Sequence, residues 1–83
     1  MDHFIALPSQ LAQILQAYRK KTGLTQKELA EETGLLPKTI SLLENHPERS
    51  SIENLFRMAS FLKLELHLSD KSTEEESRPE SEW

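Results

Sequence analysis

The stretch of sequence that decides the fold is TQKELAEETGLLPKTISLLE, residues 25–44. It begins with Thr25 and Glu28, the spacing of a capping box, in which each side chain bonds the backbone amide of the other residue. Gly34 divides the stretch, and Pro37 follows; proline fits the first turn of a helix and almost nowhere later. The pattern predicts two short helices joined by a tight turn.

Two short helices joined this closely form a helix-turn-helix, in which the second helix lies in the DNA major groove. We expect helices over about Gln26–Thr33 and Pro37–Asn45, with the small Ala30 between them and with Ile40 and Leu43 facing the core. A helical hairpin with a purely structural role is the alternative. The pattern favours DNA binding, and with it regulation of transcription rather than catalysis.

The flanking sequence predicts two further helices. The first covers Ser9–Thr22, with Ser9 as its N-cap and Gly23 as the residue that ends it. The other is capped by Ser51 and covers Ile52–Leu62. Because this last helix is apolar on most sides, we expect it to be the buried central helix.

After the fourth helix, residues 62–69 read LKLELHLS, in which Leu64, Leu66 and Leu68 alternate with polar residues. This is the period of a half-buried β-strand. A lone strand is not stable, and residues 4–7 are a weak candidate for a second one. Pairing with the same strand of a second subunit is the simplest solution and gives a two-fold dimer. A frayed continuation of the fourth helix is the alternative.

Length and composition limit the class of protein. A chain of 83 residues forms at most one domain, and dimerisation would stabilise so small a core. The absence of cysteine excludes a disulfide framework and a cysteine metal site. No apolar run approaches the roughly 18 residues of a membrane span, and the N-terminus lacks a secretory pattern. We expect a cytoplasmic, nucleoid-associated protein.

The charge distribution is uneven along the chain. The formal net charge is −4, whereas DNA-binding domains usually show a basic surface. Residues 70–83 contain six acidic and two basic residues, so the excess negative charge lies there and residues 1–69 are neutral. A basic face must therefore come from the arrangement of side chains. We expect weak non-specific affinity for DNA, because that affinity scales with the phosphates neutralised.

The tail, residues 70–83, is acidic, rich in serine and nearly free of apolar residues, which predicts a flexible segment. Its last residue is Trp83, the only tryptophan in the chain. Tryptophan is enriched among the anchors of protein interfaces, so Trp83 is a candidate for binding a partner. A terminal aromatic residue without a role is the alternative.

Catalysis finds little support in the sequence. The histidines His3, His46 and His67 lack the spacing of metal ligands, and with only Gly23 and Gly34 there is no glycine-rich loop for phosphate. We therefore expect no enzymatic activity, no metal and no cofactor.

Residues 19–62 resemble the lambda-repressor-like (Xre or Cro/C1) DNA-binding domains. The residues that carry the resemblance are Arg19, Thr25, Gln26, Leu29, Ala30, Gly34, Ile40, Ser41, Glu44 and Asn45. The resemblance implies an all-α helix-turn-helix domain of four to five short helices, with one C-terminal β-strand pairing across a homodimer. It also implies an internal ion pair between Arg19 and Glu44; a phosphate contact is the alternative role for Arg19.

Over nearly the whole chain the resemblance narrows to the HipB-type antitoxins, autorepressors that partner HipA-type serine/threonine kinase toxins. The discriminating part is the strand, the polar tail and the final Glu82-Trp83. This resemblance implies that Leu64, Leu66 and Leu68 lie in the dimer interface and that Trp83 docks into the toxin. Some related systems divide the toxin between two chains, so a single-chain toxin and a two-chain toxin are both candidate partners. The expected organisation is an N-terminal segment (1–8), a helix-turn-helix domain (9–63), a dimerisation strand (64–69) and the tail (70–83).

The resemblance also assigns the residues that contact DNA. The candidates are Thr25, Gln26, Lys27, Leu36, Pro37, Lys38, Thr39, Ser41 and Leu42. Of these, Lys38 is the best direct reader of a base, with guanine as its target, and Ser41 is second. Leu36 and Leu42 can contact only apolar groups such as thymine methyls, and Pro37 has no donor. Because few polar residues at these positions can read bases, the shape of a bent operator can contribute to recognition.

The remaining candidates are expected to hold the DNA backbone. Thr25 and Gln26 lie at the N-terminus of the second helix, where phosphate binds, and Lys27 and Thr39 are further phosphate contacts.

The hypothesis is a homodimeric repressor and antitoxin that binds a palindromic operator, with half-sites about one helical turn or a multiple of it apart. Two alternatives remain: a stand-alone Xre-family regulator without a toxin, and a protein-interaction module that has lost DNA binding.

Overall fold

The computed structural model describes residues 2–71 of the chain. Within this range, four α-helices and one 3-10 helix follow one another, which confirms the predicted all-α class of four to five short helices. The elements are α1 (Pro8–Thr22), α2 (Gln26–Thr33), α3 (Pro37–Asn45), the 3-10 helix (Pro47–Arg49) and α4 (Ile52–Phe61).

The start of α1 differs from the prediction. Its N-cap is Leu7, with Pro8 in the first helical position, so the prediction that Ser9 caps this helix was wrong. The Oε1 atom of Gln10 accepts hydrogen bonds from the backbone N–H groups of Ala6 (2.6 Å) and Leu7 (2.9 Å). Proline needs no acceptor at the first position, and Gln10 satisfies the amides before it, so the helix begins without a serine cap.

The capping box at the start of α2 is confirmed. The backbone N–H of Glu28 donates to Thr25 Oγ1 at 3.0 Å, and the N–H of Thr25 donates to Glu28 Oε1 at 2.9 Å. At the other end, Gly34 adopts the left-handed conformation with φ +80°, and its N–H donates to the Ala30 carbonyl at 2.9 Å. Glycine is favoured here because it has no Cβ atom, whose steric contacts disfavour the left-handed conformation in other residues.

The core forms around α3, which packs against α1, α2, α4 and the 3-10 helix. The buried residues of this core are Leu15, Leu29, Ala30, Ile40, Leu43, Met58 and Leu62. The prediction that the last helix is the buried central one was therefore wrong. Ile52 and Phe56 of α4 are 68% and 55% exposed, and only Met58 and Ala59 of this helix are buried. Apolar residues occur around α4, but the small domain covers only one of its faces.

A left-handed lysine ends α4. Lys63 has φ +62°, its N–H donates to the Ser60 carbonyl at 3.0 Å, and the Leu64 N–H donates to the Ala59 carbonyl at 2.8 Å. These two bonds form a Schellman motif, which usually has glycine in the lysine's place. The motif reverses the chain, so that Leu64 packs back against the core.

Two segments flank the helices: the N-terminal arm, residues 2–7, and the C-terminal arm, residues 64–69. The C-terminal arm contains the predicted strand, but within the described residues it forms no β-ladder. A strand that pairs across a dimer requires a second chain, so this strand stays a prediction. No helix between residues 2 and 71 is long and apolar enough to cross a membrane.

Candidate nucleic-acid interface

The candidate DNA surface consists of the start of α2, residues 25–27, and the first turns of α3, residues 36–42. The two helices are neighbours, because α2 packs directly against α3 and Gln26 at the start of α2 contacts Glu44 near the end of α3. Ile40 and Leu43 are fully buried, and this fixes which face of α3 remains outside.

The outer face of α3 is apolar at its beginning and basic just after it. Leu36 is the N-cap, makes no capping hydrogen bond through its side chain, and is 57% exposed. Pro37 and Lys38 follow and are also exposed, whereas Thr39 and Leu42 are half-buried. The surface therefore presents one large apolar group beside one positive charge.

Ser41, a predicted reader of bases, is half-buried and contacts Asn45 on its own helix, a residue for which the sequence predicted no contact with DNA. The Asn45 side-chain amide donates to the Ser41 carbonyl at 2.7 Å and lies 3.4 Å from its hydroxyl oxygen. Serine and asparagine four residues apart on a helix can make this contact, so the spacing was a usable signal.

Behind this surface, an ion pair fixes α3 against α1. Arg19 Nε lies 2.5 Å from Glu44 Oε2 and Nη2 lies 3.1 Å from Oε1, while Nη1 donates to the Leu24 carbonyl at 2.8 Å. The side chains of Arg19 and Glu44 are 11% and 0% exposed. The two-pronged geometry restrains the guanidinium and the carboxylate in both distance and orientation. The Arg19 guanidinium therefore binds groups within the protein, which favours the internal ion pair over the alternative role as a phosphate contact.

Gln26 joins the same group of side chains. Its Nε2 donates to Glu44 Oε1 at 3.0 Å, which ties the first residue of α2 to the end of α3. The side-chain amide predicted to hold phosphate is therefore engaged with a carboxylate. Of the backbone N–H groups in the first turn of α2, that of Glu28 donates to Thr25 Oγ1, so those of Gln26 and Lys27 are the candidates for binding an anion.

The electrostatic character of the surface follows from which charges are paired. The ion pairs within residues 2–71 involve Arg19, Arg57, His46 and His67, and none involves a lysine. Among residues 2–71, the lysines at the end of α1 and on α2 and α3 therefore lie outside the ion pairs; they are Lys20, Lys21, Lys27 and Lys38. Of these four lysines, Lys27 and Lys38 belong to the candidate DNA surface.

The residues predicted to form the dimer interface lie on the C-terminal arm. Leu64 is half-buried, whereas Leu66 and Leu68 are exposed on the C-terminal arm. Trp83 lies outside the described residues. The part of the chain that the structure describes contains no group of three residues able to hold a metal ion.

A capped α2, a left-handed turn and a buttressed α3 with an exposed first turn define a helix-turn-helix protein. The model of the helix-turn-helix family matches residues 15–68. The chain is 35% identical over 79 residues to the antitoxin HipB of Escherichia coli O6:H1, covering 92% of this chain and 84% of that protein. It is 34% identical to the antitoxin HipB of Escherichia coli K12, covering 92% and 90%. The chain belongs to the HipB family of antitoxins.

Solved structures agree with this assignment. A HipA-HipB-O2-O3 complex contains a chain that matches with a TM-score of 0.78 at 34% identity, covering 86% of this chain and 100% of that one. A HipB-O4 20mer complex matches with a TM-score of 0.77, also at 34% identity and with the same coverage.

Proposed function

We propose that this chain is an autorepressor and antitoxin that binds a palindromic operator as a homodimer and neutralises a HipA-like kinase toxin. The observation that carries the DNA-binding part is the buttressed α3. It exposes Lys38 and Leu36 at its start, and Lys27 is exposed on α2, which packs against it. Relatives at 34% identity have been solved with HipA and with an O4 20mer, which supports both partners. Its place of action is the cytoplasm, and its role is non-catalytic.

In the proposed complex, the start of α3 enters the major groove. Lys38 donates to guanine, Ser41 makes a second polar contact, and Leu36 lies against thymine methyl groups. Residues 25–27 and Thr39 hold the backbone and set the register of the protein on the duplex. With one exposed cation and one exposed leucine, direct readout covers few base pairs, so the shape of the operator supplies further specificity.

DNA binding is tested with the gene's own promoter in a gel-shift or fluorescence-anisotropy titration. We expect Lys38→Ala to lower specific affinity by roughly 1–3 kcal/mol and to relax the preference at one guanine. Lys71→Ala, which removes an exposed lysine beyond the C-terminal arm, is the charge-matched control and should bind as the native chain does. Equal affinity of the native and Lys38→Ala chains would reject the assignment of Lys38. No binding by the native chain would favour an interaction module.

The toxin-binding part rests on Trp83 and on family membership. Deleting Trp83 should weaken binding to the toxin, measured by calorimetry, while leaving operator affinity unchanged. Loss of both affinities together would point to a general defect rather than an anchor. A neighbouring kinase-like gene, in one piece or two, would distinguish the antitoxin from a stand-alone regulator.

A further inference from the structure

One face of α3 presents a row of polar side chains formed by Lys38, Ser41 and Asn45. These residues are spaced three and four positions apart, so they share one side of the helix. The buried residues of α3 lie on the other side, which leaves the row facing outward. The sequence predicts base contacts for Lys38 and Ser41 and none for Asn45, although Asn45 is exposed.

The Asn45 side chain is held by the serine one turn before it. Its Nδ2 donates to the Ser41 carbonyl at 2.7 Å and lies 3.4 Å from Ser41 Oγ. A carbonyl oxygen only accepts hydrogen bonds, so the nitrogen of the amide must be the atom that faces Ser41. Asn45 Oδ1 is the other branch of the amide group, and within residues 2–71 it accepts no hydrogen bond.

The same contact sets the direction of the Ser41 hydroxyl. A serine hydroxyl rotates and can donate or accept a hydrogen bond. The 3.4 Å contact is long for a hydrogen bond, but the Asn45 N–H still turns the hydroxyl hydrogen away, because two hydrogens would otherwise face each other. A helical serine often donates to the carbonyl four residues earlier, and within the described residues Ser41 makes no such bond to Pro37. The Ser41 O–H is therefore left to donate outward.

We infer that Ser41 and Asn45 together read one adenine. Ser41 Oγ–H donates to adenine N7, and the adenine N6 amino group donates to Asn45 Oδ1. Asn45 thus acts twice, as a reader of N6 and as the residue that fixes the direction of the Ser41 hydroxyl. This inference rests on the proposed binding of α3 in the major groove and adds a further residue and the base that it selects.

Adenine is selected by the order of donors and acceptors on its edge. In the major groove, adenine presents the N7 acceptor beside the N6 donor, guanine presents two acceptors, cytosine one donor, and thymine one acceptor beside a methyl group. The Ser41–Asn45 pair presents one donor beside one acceptor, since Oδ1 shares a carbon with the Nδ2 that contacts Ser41. Of the four bases, adenine complements both groups.

The pair replaces a contact that one asparagine usually makes. An asparagine side chain can bind adenine alone, with its amide N–H on N7 and its oxygen on N6. Here the Asn45 N–H groups face Ser41, so the serine hydroxyl supplies the donor in their place. Removing Asn45 should therefore change which base is preferred as well as the affinity.

Adenine analogues in the operator test the two hydrogen bonds separately. The operator is located by footprinting on the gene's own promoter, and each of its adenines is replaced in turn by 7-deazaadenine, which lacks N7, or by purine, which lacks the N6 amino group. At one adenine in each half-site, each analogue should lower the affinity of the native chain about two- to tenfold, the range for one hydrogen bond.

Substitutions assign each bond to its residue. Ser41→Ala should bind the adenine and 7-deazaadenine operators equally and still respond to purine, whereas Asn45→Ala should respond to 7-deazaadenine and not to purine. Asn45→Ala should also discriminate less against cytosine at this position, because a released Ser41 hydroxyl can accept from cytosine N4. Asn54→Ala, which removes the same amide from α4, is the matched control and should follow the native chain on every operator.

A structural role for Asn45 would give a different pattern. Asn45→Ala would then weaken binding to the adenine, purine and cytosine operators by the same factor, and the inference would be overturned. Sensitivity confined to guanines, tested with 7-deazaguanine, would also overturn it. If the native chain binds the promoter and no adenine analogue lowers its affinity, this inference is wrong and the proposed DNA binding stands. If the native chain does not bind the promoter, both are wrong.

Discussion

Arg19 and Glu44 form a two-pronged ion pair that joins α1 to the last turn of α3. The Arg19 Nε–Glu44 Oε2 distance is 2.5 Å, and the glutamate side chain is wholly buried. Gln26 adds a third donor at 3.0 Å, so Arg19 on α1 supplies two hydrogen bonds to this carboxylate and Gln26 on α2 supplies one. The Glu44 carboxylate is shielded from water, so these protein donors stabilise its charge. The orientation of α3, and with it the position of Lys38, depends on them.

Removing Arg19 should therefore cost far more than removing an exposed arginine. Arg19→Ala leaves a buried carboxylate without its counter-charge, and we expect the free energy of unfolding to fall by roughly 3–5 kcal/mol. Arg57→Ala is the control, since Arg57 is half-exposed and lies 3.8 Å from an exposed Glu53; its loss should cost about 0–1 kcal/mol. Urea denaturation measures both.

The double variant Arg19→Met, Glu44→Leu separates the two contributions. If the cost of Arg19→Ala comes from an unpaired buried charge, replacing both partners by apolar side chains should restore most of the lost stability. A double variant as unstable as Arg19→Ala would contradict that explanation. Both chains should be compared in operator binding as well, because a stable domain with a displaced α3 would lose affinity without unfolding.

Gln26→Ala distinguishes a buttress from a phosphate contact. Loss of the hydrogen bond to the Glu44 carboxylate should lower stability by roughly 1.5–3 kcal/mol, the range for bonds to charged groups. Gln13→Ala, at an exposed position of α1, should have little effect. Glutamine is uncharged, so either role leaves the salt dependence of operator binding unchanged, and the discriminating ligand is an operator with a neutral methylphosphonate at the phosphate beside α2. If the Gln26 side chain only buttresses α3, this replacement should cost the native and Gln26→Ala chains the same affinity. A smaller loss in the Gln26→Ala chain would instead indicate a phosphate contact.

Local signals determined how much of this structure the sequence could predict. The bounds of α2 and α3 match the predictions, because a capping box, a glycine and a first-turn proline each act within a few residues. The burial of α4 was mispredicted, because its apolar residues occur around the helix and do not indicate which face meets the core. The Gln26–Glu44 hydrogen bond joins residues 18 positions apart, and no periodicity in the sequence indicates it.

Lys63 controls where the C-terminal arm begins. Its φ of +62° is disfavoured for any side chain and most for β-branched ones. Lys63→Val should therefore destabilise the domain by roughly 1–3 kcal/mol, whereas Lys63→Gly should keep native stability or exceed it by up to about 1 kcal/mol. Thermal unfolding of the two variants measures this difference. Equal melting temperatures would show that the Schellman turn does not constrain the arm.

Leu36 offers a test of apolar base recognition that needs no change in the protein. Replacing thymine by deoxyuridine removes the methyl group alone, and at a contacted position it should lower the affinity of the native chain by about 0.8 kcal/mol. Leu36→Ser should lose a similar amount on the thymine operator and nothing further on the deoxyuridine operator, because the two changes remove one contact. Ile52→Ser, another exposed apolar residue, is the control and should respond to deoxyuridine as the native chain does. Deoxyuridine scanned across both half-sites without loss of native affinity would show that Leu36 faces no methyl group.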